Sequence, residues 1–138
     1  LESWLLSFAI LVFFNTEVAA SKEVNIEKLL SNIEIADNYS KRKKGLMYRD
    51  NIDKDFGMLF IWDKKEIQCM WMKNTSIPLS IAFIKEEGVI SDIYNLYPFS
   101  TLSVCSTDKV KYALEVNRGW FKENEITRGD TVISSQIK

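Results

Sequence analysis

The stretch Met70-Trp71-Met72-Lys73-Asn74-Thr75 joins an apolar run to three hydrogen-bonding side chains, and Ile77-Pro78-Leu79 follows at once. A core strand does not need Lys, Asn and Thr in succession, and a surface loop does not need Trp71. Two chemistries fit. Short polar side chains such as Asn74 and Thr75 bond nearby backbone and pin a bend. The same groups, set beside Trp71, could instead meet a ligand. Strand alternation puts Cys69, Trp71 and Lys73 on one side, with Lys73 over the indole. Met70, Met72 and Asn74 fall on the other side.

The sequence contains no histidine. Ser-His and Cys-His nucleophiles are therefore excluded, as are the usual His-containing zinc sites. Two cysteines cannot build a thiolate cage, so no metal and no cofactor is expected. Any acid–base chemistry falls to Asp, Glu, Lys, Tyr or Cys.

The elements that must position these groups are those of one domain. The chain has 138 residues, 46% hydrophobic and 27% charged, enough for a real core. A formal net charge of −1 argues against nucleic acid or an anionic membrane as partner. "WLLSFAILVFF", from Trp4 to Phe14, is short for a membrane span, and Val18 and Ala20 suit a signal-peptidase site. Residues 1–20 are thus expected to be a signal peptide, truncated at its start, with a retained anchor as the alternative. Residues 21–30 are expected to lead flexibly into a single domain over 31–138. The expected location is periplasmic or extracellular, as a monomer with no membrane contact once the signal is removed. Export makes Cys69 and Cys105 a disulfide candidate, with two buried free thiols as the alternative.

"NIEIAD" alternates and predicts a first strand, and Asp37 or Asn38 can cap a helix through "YSKRKKGLMYR". Lys41 to Lys44 read as a solvated basic face, with Leu46, Met47 and Tyr39 candidates to turn inward. "GMLFIW" and "IQCMWM" predict a hairpin across Asp63–Glu66. "IAFI" and "GVISDIY" predict a second hairpin, with Gly88 at a positive φ. "KYALEV" and "TVISSQI" complete the strands, and Asn117 is a candidate cap for a helical turn through "RGWFKEN". The pattern predicts a mainly β, α+β fold: a compact curled antiparallel sheet with a short helix across one mouth, or a small barrel.

"GLMYR", "GMLFIW", "MWMKNTSIPLSIAFI", "YALEV" with Gly119, and "RGD" at Arg128–Asp130 follow in order. This set resembles the DUF192 family, also called UPF0127, over about residues 31 to 134. The resemblance implies a small β-rich domain whose biochemical activity is not established. It marks Arg49, Met58, Phe60, Trp71 to Thr75 and Glu115 as motif positions. Ser80 departs from it, standing where the family often has Asp.

The polar motif residues Arg49, Lys73, Asn74, Thr75 and Glu115 could converge on Trp71 as a shallow pocket. It would take a small polar or anionic ligand, a glycan or a protein partner. Alternatively Glu115 pairs with Arg49 or Lys73 as a structural ion pair. The leading expectation is a non-enzymatic binding domain. The alternatives are a His-independent hydrolase or lyase, with Glu115 as base and Lys73 or Arg49 stabilising charge, and a purely structural accessory domain.

Overall fold

The computed structural model describes Trp4, residues 7–17 and residues 19–138. The expected signal peptide falls partly outside these, at Leu1–Ser3, Leu5, Leu6 and Val18. Among the described residues nine strands and three short helices follow in the order β1 (Glu23–Asn25), α1 (Ile26–Leu29), β2 (Asn32–Ala36), α2 (Tyr39–Lys44), β3 (Phe56–Glu66), β4 (Cys69–Met70), β5 (Leu79–Ile84), β6 (Ile90–Leu96), β7 (Val104–Cys105), β8 (Val110–Asn117), α3 (Trp120–Glu123) and β9 (Thr131–Ile133).

The centre is an open five-stranded sheet in the order β2-β3-β8-β5-β6. Its pairs are antiparallel except β2 with β3, so the sheet is mixed, not wholly antiparallel, and it does not close into a barrel. Both faces are covered, which explains why "LSIAFI" is apolar at every position but Ser80. All six residues of β5 are buried. Each fully buried aliphatic or aromatic side chain there is worth roughly 1.5–3 kcal/mol. One face packs Leu59, Ala82, Leu114 and Val116 against α1, α3 and the β1–β9 pair. The other packs Met58, Phe60, Ile81, Phe83 and Ala113 against Leu46, Met72 and Ile77.

Several sequence expectations change. The segment 21–30 is not a flexible lead-in. It supplies β1 and α1, and Val24, Ile26 and Leu30 are buried. Asp130 anchors it: the carboxylate accepts the Lys22 backbone N–H and the Lys22 ammonium, both at 3.0 Å. The hairpin across Asp63–Glu66 does not form. β3 continues to Glu66, and its register on β8 moves from Ile61↔Tyr112 to Glu66↔Val110, an irregularity that absorbs the charged residues. The short β4 pairs with the distant β7 instead, with Cys69 opposite Cys105. Those two sulfurs are joined.

Asn117 does not cap α3. Its amide donates to the Asp53 carbonyl at 2.9 Å, and Gly119, at φ 87, takes the N-cap position. Asn38 does cap α2, accepting the Lys41 N–H at 2.9 Å. The β5–β6 hairpin forms with Gly88 at φ 94.

Candidate functional site

Strand parity on β8 decides where Glu115 points. Leu114 and Val116 enter one core, so Ala113 and Glu115 project from the opposite face. Met58 on β3 and Ile81 on β5 flank Glu115 directly. The side chain is 4% exposed and lines a cleft of about 420 Å³ beneath α2. Among the described residues no hydrogen bond or ion pair reaches its carboxyl group, and burial pushes the pKa up to about 8. Near neutral pH it is therefore a neutral carboxylic acid, able to donate one hydrogen bond and to accept others.

The cleft roof is α2. Arg42 ties the helix to β3 by donating to the Ile61 carbonyl at 2.8 Å. Leu46, just beyond the helix, is buried, Met47 is half-buried, and Tyr39 stays exposed. Phe60, Met72 and Thr75 line the interior with Glu115. Trp71 lines this cleft and also a neighbouring one of about 550 Å³, which takes in Lys73 and Asn74. Tyr39, Lys43 and Lys44 border both.

The stretch "MWMKNT" is a pinned bend. β4 ends at Met70, and Thr75 N–H closes a turn onto the Met72 carbonyl at 3.1 Å. Asn74 occupies the third turn position with φ 54, a conformation that Asn tolerates better than most residues. Its carbonyl accepts the Tyr48 N–H at 2.9 Å, and its amide donates to the Tyr48 hydroxyl at 2.9 Å. Thr75 is buried, and its hydroxyl donates to the Lys73 carbonyl at 3.1 Å. Met72 N–H donates to Ser100 and Phe99 N–H to Thr75, so the loop beyond Pro98 closes over the bend.

The expected constellation is thus divided. Trp71, Thr75 and Glu115 share one cleft, while Trp71, Lys73 and Asn74 share its neighbour. Lys73 Nζ stands 5.2 Å from the Trp71 ring centroid, as alternation suggested. Lys73 and Glu115 line different clefts, and Trp71 is 44% exposed. Arg49 leaves the constellation altogether, making a two-point ion pair with Glu34 at 3.0 and 2.7 Å. That bond from Arg49 holds the Glu34 carboxyl below its ordinary pKa. Ser80 faces away from the cleft. It accepts the Gly119 N–H at 3.1 Å, so the family Asp at this place would not sit beside Glu115.

The helix α2 contributes to the site beyond what its composition suggests. Lys43 and Lys44 are exposed, as the solvated face predicts, and both also border the clefts. The available signal was the four consecutive cations Lys41–Lys44 directly before the "GLM" motif.

An open α+β sheet with a cleft between a short basic helix and a tryptophan bend defines the class of domain. The profile of the DUF192 family, described as "Uncharacterized ACR", matches residues 20–134, and the chain belongs to that family. No curated protein matches the chain. Among solved structures it is similar to a proposed transcription regulator from Sinorhizobium meliloti 1021, at 40% identity and a TM-score of 0.70. That alignment covers 72% of this chain and 78% of the other. It is also similar to a protein of unknown function from Novosphingobium aromaticivorans DSM 12444, at 29% identity and a TM-score of 0.69. There the coverage is 72% and 71%.

Proposed function

We propose that this DUF192 domain binds a small polar or anionic ligand in the cleft between α2 and the Met70–Thr75 bend. Its role is non-enzymatic. One observation carries the reading: Glu115 is only 4% exposed, no protein group among the described residues bonds its carboxyl, and the surface its oxygens keep opens onto a cleft. A carboxyl group that meets no protein partner and reaches only the cleft suits a ligand that supplies hydrogen bonds there. The walls agree in character. Trp71 and Met72 give apolar contact, and Lys43 and Lys44 favour negative charge at the mouth.

A catalytic reading has less support. With Glu115 as base, the cations expected to stabilise developing charge are displaced: Arg49 is engaged by Glu34, and Lys73 lies in the neighbouring cleft. Export is proposed on two features, the apolar run before Ser21 and the Cys69–Cys105 bridge.

A thermal-shift screen of sugars, sugar acids and small carboxylates on the intact chain tests the binding role. A ligand of the native state raises the melting temperature. The reading predicts hits whose shift disappears in Trp71→Ala and shrinks in Glu115→Gln. Hits that survive both substitutions unchanged would place binding elsewhere and refute it.

A further inference from the structure

We infer that the ligand is an acidic oligosaccharide, lying across both clefts with one carboxylate-bearing sugar on either side of Trp71. The inference rests on the cleft reading above, names its ligand class and extends the ligand into the neighbouring cleft.

Shape comes first. The two clefts, about 420 and 550 Å³, share Trp71, Tyr39, Lys43 and Lys44 along one border. A single small molecule would occupy one of them. A chain of at least two units is needed to occupy both, with its linkage passing Trp71.

Surface chemistry comes next. Trp71 is half-exposed, and Tyr39 and Tyr48 are 73% and 76% exposed beside it. Flat rings with negative faces suit the polarised C–H faces of sugar rings. Lys73 Nζ stands over the Trp71 ring, 5.2 Å from its centroid, so a cation and an aromatic ring are presented together. A sugar carrying a carboxylate matches that pair of groups. Lys43 and Lys44 extend the positive border, although the whole chain has a formal charge of −1. The cations therefore form a local feature, not a general basicity.

An extended acidic peptide is the nearest competitor. Extended peptides bind largely through main-chain hydrogen bonds to a free strand edge. At the bend, the backbone N–H groups of Met72, Thr75, Tyr48 and Phe99 are already donated within the protein. Those four donors are not offered to a peptide backbone, which favours sugars over peptide. Tyr48, Asn74 and Phe99 also hold positive φ, at 64°, 54° and 61°, and are joined through the same bonds. Such strained positions persist only where the surroundings fix them, so the rim is preorganised.

Calorimetric titration of the intact chain would compare tetragalacturonate and tetramannuronate with galacturonate monomer, maltotetraose and hexaglutamate. The inference predicts that an acidic tetramer binds at least tenfold tighter than the monomer and the neutral tetramer. Raising salt should weaken it, because the charges involved are exposed. Trp71→Ala and the double variant Lys43→Gln/Lys44→Gln should each cost at least tenfold. Circular dichroism would confirm that both variants fold.

Equal binding of maltotetraose, or monomer binding as tight as tetramer, would overturn the inference while leaving the cleft a ligand site. So would tighter binding of hexaglutamate. Silence from both acidic tetramers, alongside a non-saccharide hit that needs Trp71 and Glu115, would overturn it too and leave the broader reading standing. Loss of all dependence on Trp71 and Glu115 would remove both.

Discussion

Glu34 and Glu115 lie in one row across the sheet with Met58 between them, yet Arg49 pairs with Glu34 and not with Glu115. The difference follows from depth. Glu34 sits on the edge strand with its side chain 39% exposed, where an ion pair costs little desolvation. Glu115 sits on the central strand and is closed in by β3 and β5. Bringing a guanidinium there would desolvate both charges. The buried acid is instead kept neutral and left facing the cleft.

The Arg49–Glu34 pair is partly solvated, so its contribution is about 1 kcal/mol or less. A double-mutant cycle with Arg49→Ala and Glu34→Gln should give a coupling energy in that range. Because Arg49 depresses the Glu34 pKa, this coupling is present above the unfolded-state pKa and is lost as pH falls through the folded value. Neither change should alter ligand binding.

Glu115 gives the opposite pH dependence. Its folded pKa of about 8 lies above the ordinary value of 4.5. Between these values the unfolded chain ionises while the folded one keeps its proton, so stability falls as pH rises through the window. The total loss is on the order of 5 kcal/mol. Urea unfolding from pH 4.5 to 8.5 should show wild type losing stability relative to Glu115→Gln. Parallel curves would show that Glu115 titrates normally.

Asn74→Ala should cost about 1–2 kcal/mol, because it removes the bond to Tyr48 and leaves a Cβ residue without an Asn side chain at positive φ. Asn74→Gly should cost less, since glycine adopts that φ freely. Denaturant midpoints of the two variants give the comparison. Equal losses would mean that the side-chain bond alone matters. Lys73→Met, at an exposed position, should change stability by no more than about 0.5 kcal/mol while weakening ligand binding.

The Cys69–Cys105 bridge closes a loop with a sequence separation of 36. In the chain-entropy treatment such a loop is worth about 4 kcal/mol. Mass spectrometry of the air-oxidised chain should show two protons fewer than after reduction. The Cys69→Ser/Cys105→Ser variant should lose stability by up to that amount and loosen the loop that carries Trp71.

Local signals carried much of the fold. Asn38 capping α2, Gly88 in the β5–β6 hairpin, and the parity that sends Glu115 away from Leu114 are short-range properties, legible in the sequence. What failed was long-range. Nothing local says that β3 pairs with β8, or that β4 pairs with β7 from beyond Pro98, so the charged stretch Asp63–Glu66 read as a turn. The same gap hid the site. Choosing a partner for Glu115 required knowing that Arg49 lies over the edge strand and that Lys73 follows a strand of only two residues. Parity argued past Met70 had no ladder to enforce it, and Trp71 ended on the surface between two clefts.

A 13C titration of the Glu115 carboxyl in the ligand-free chain tests the central claim most directly. A buried, unpaired acid at the floor of a cleft should titrate with a midpoint near 8, well apart from the chain's surface glutamates. A midpoint near 4.5 would contradict the account, because it would mean that Glu115 is solvated or paired, with no missing bonds for a ligand to supply.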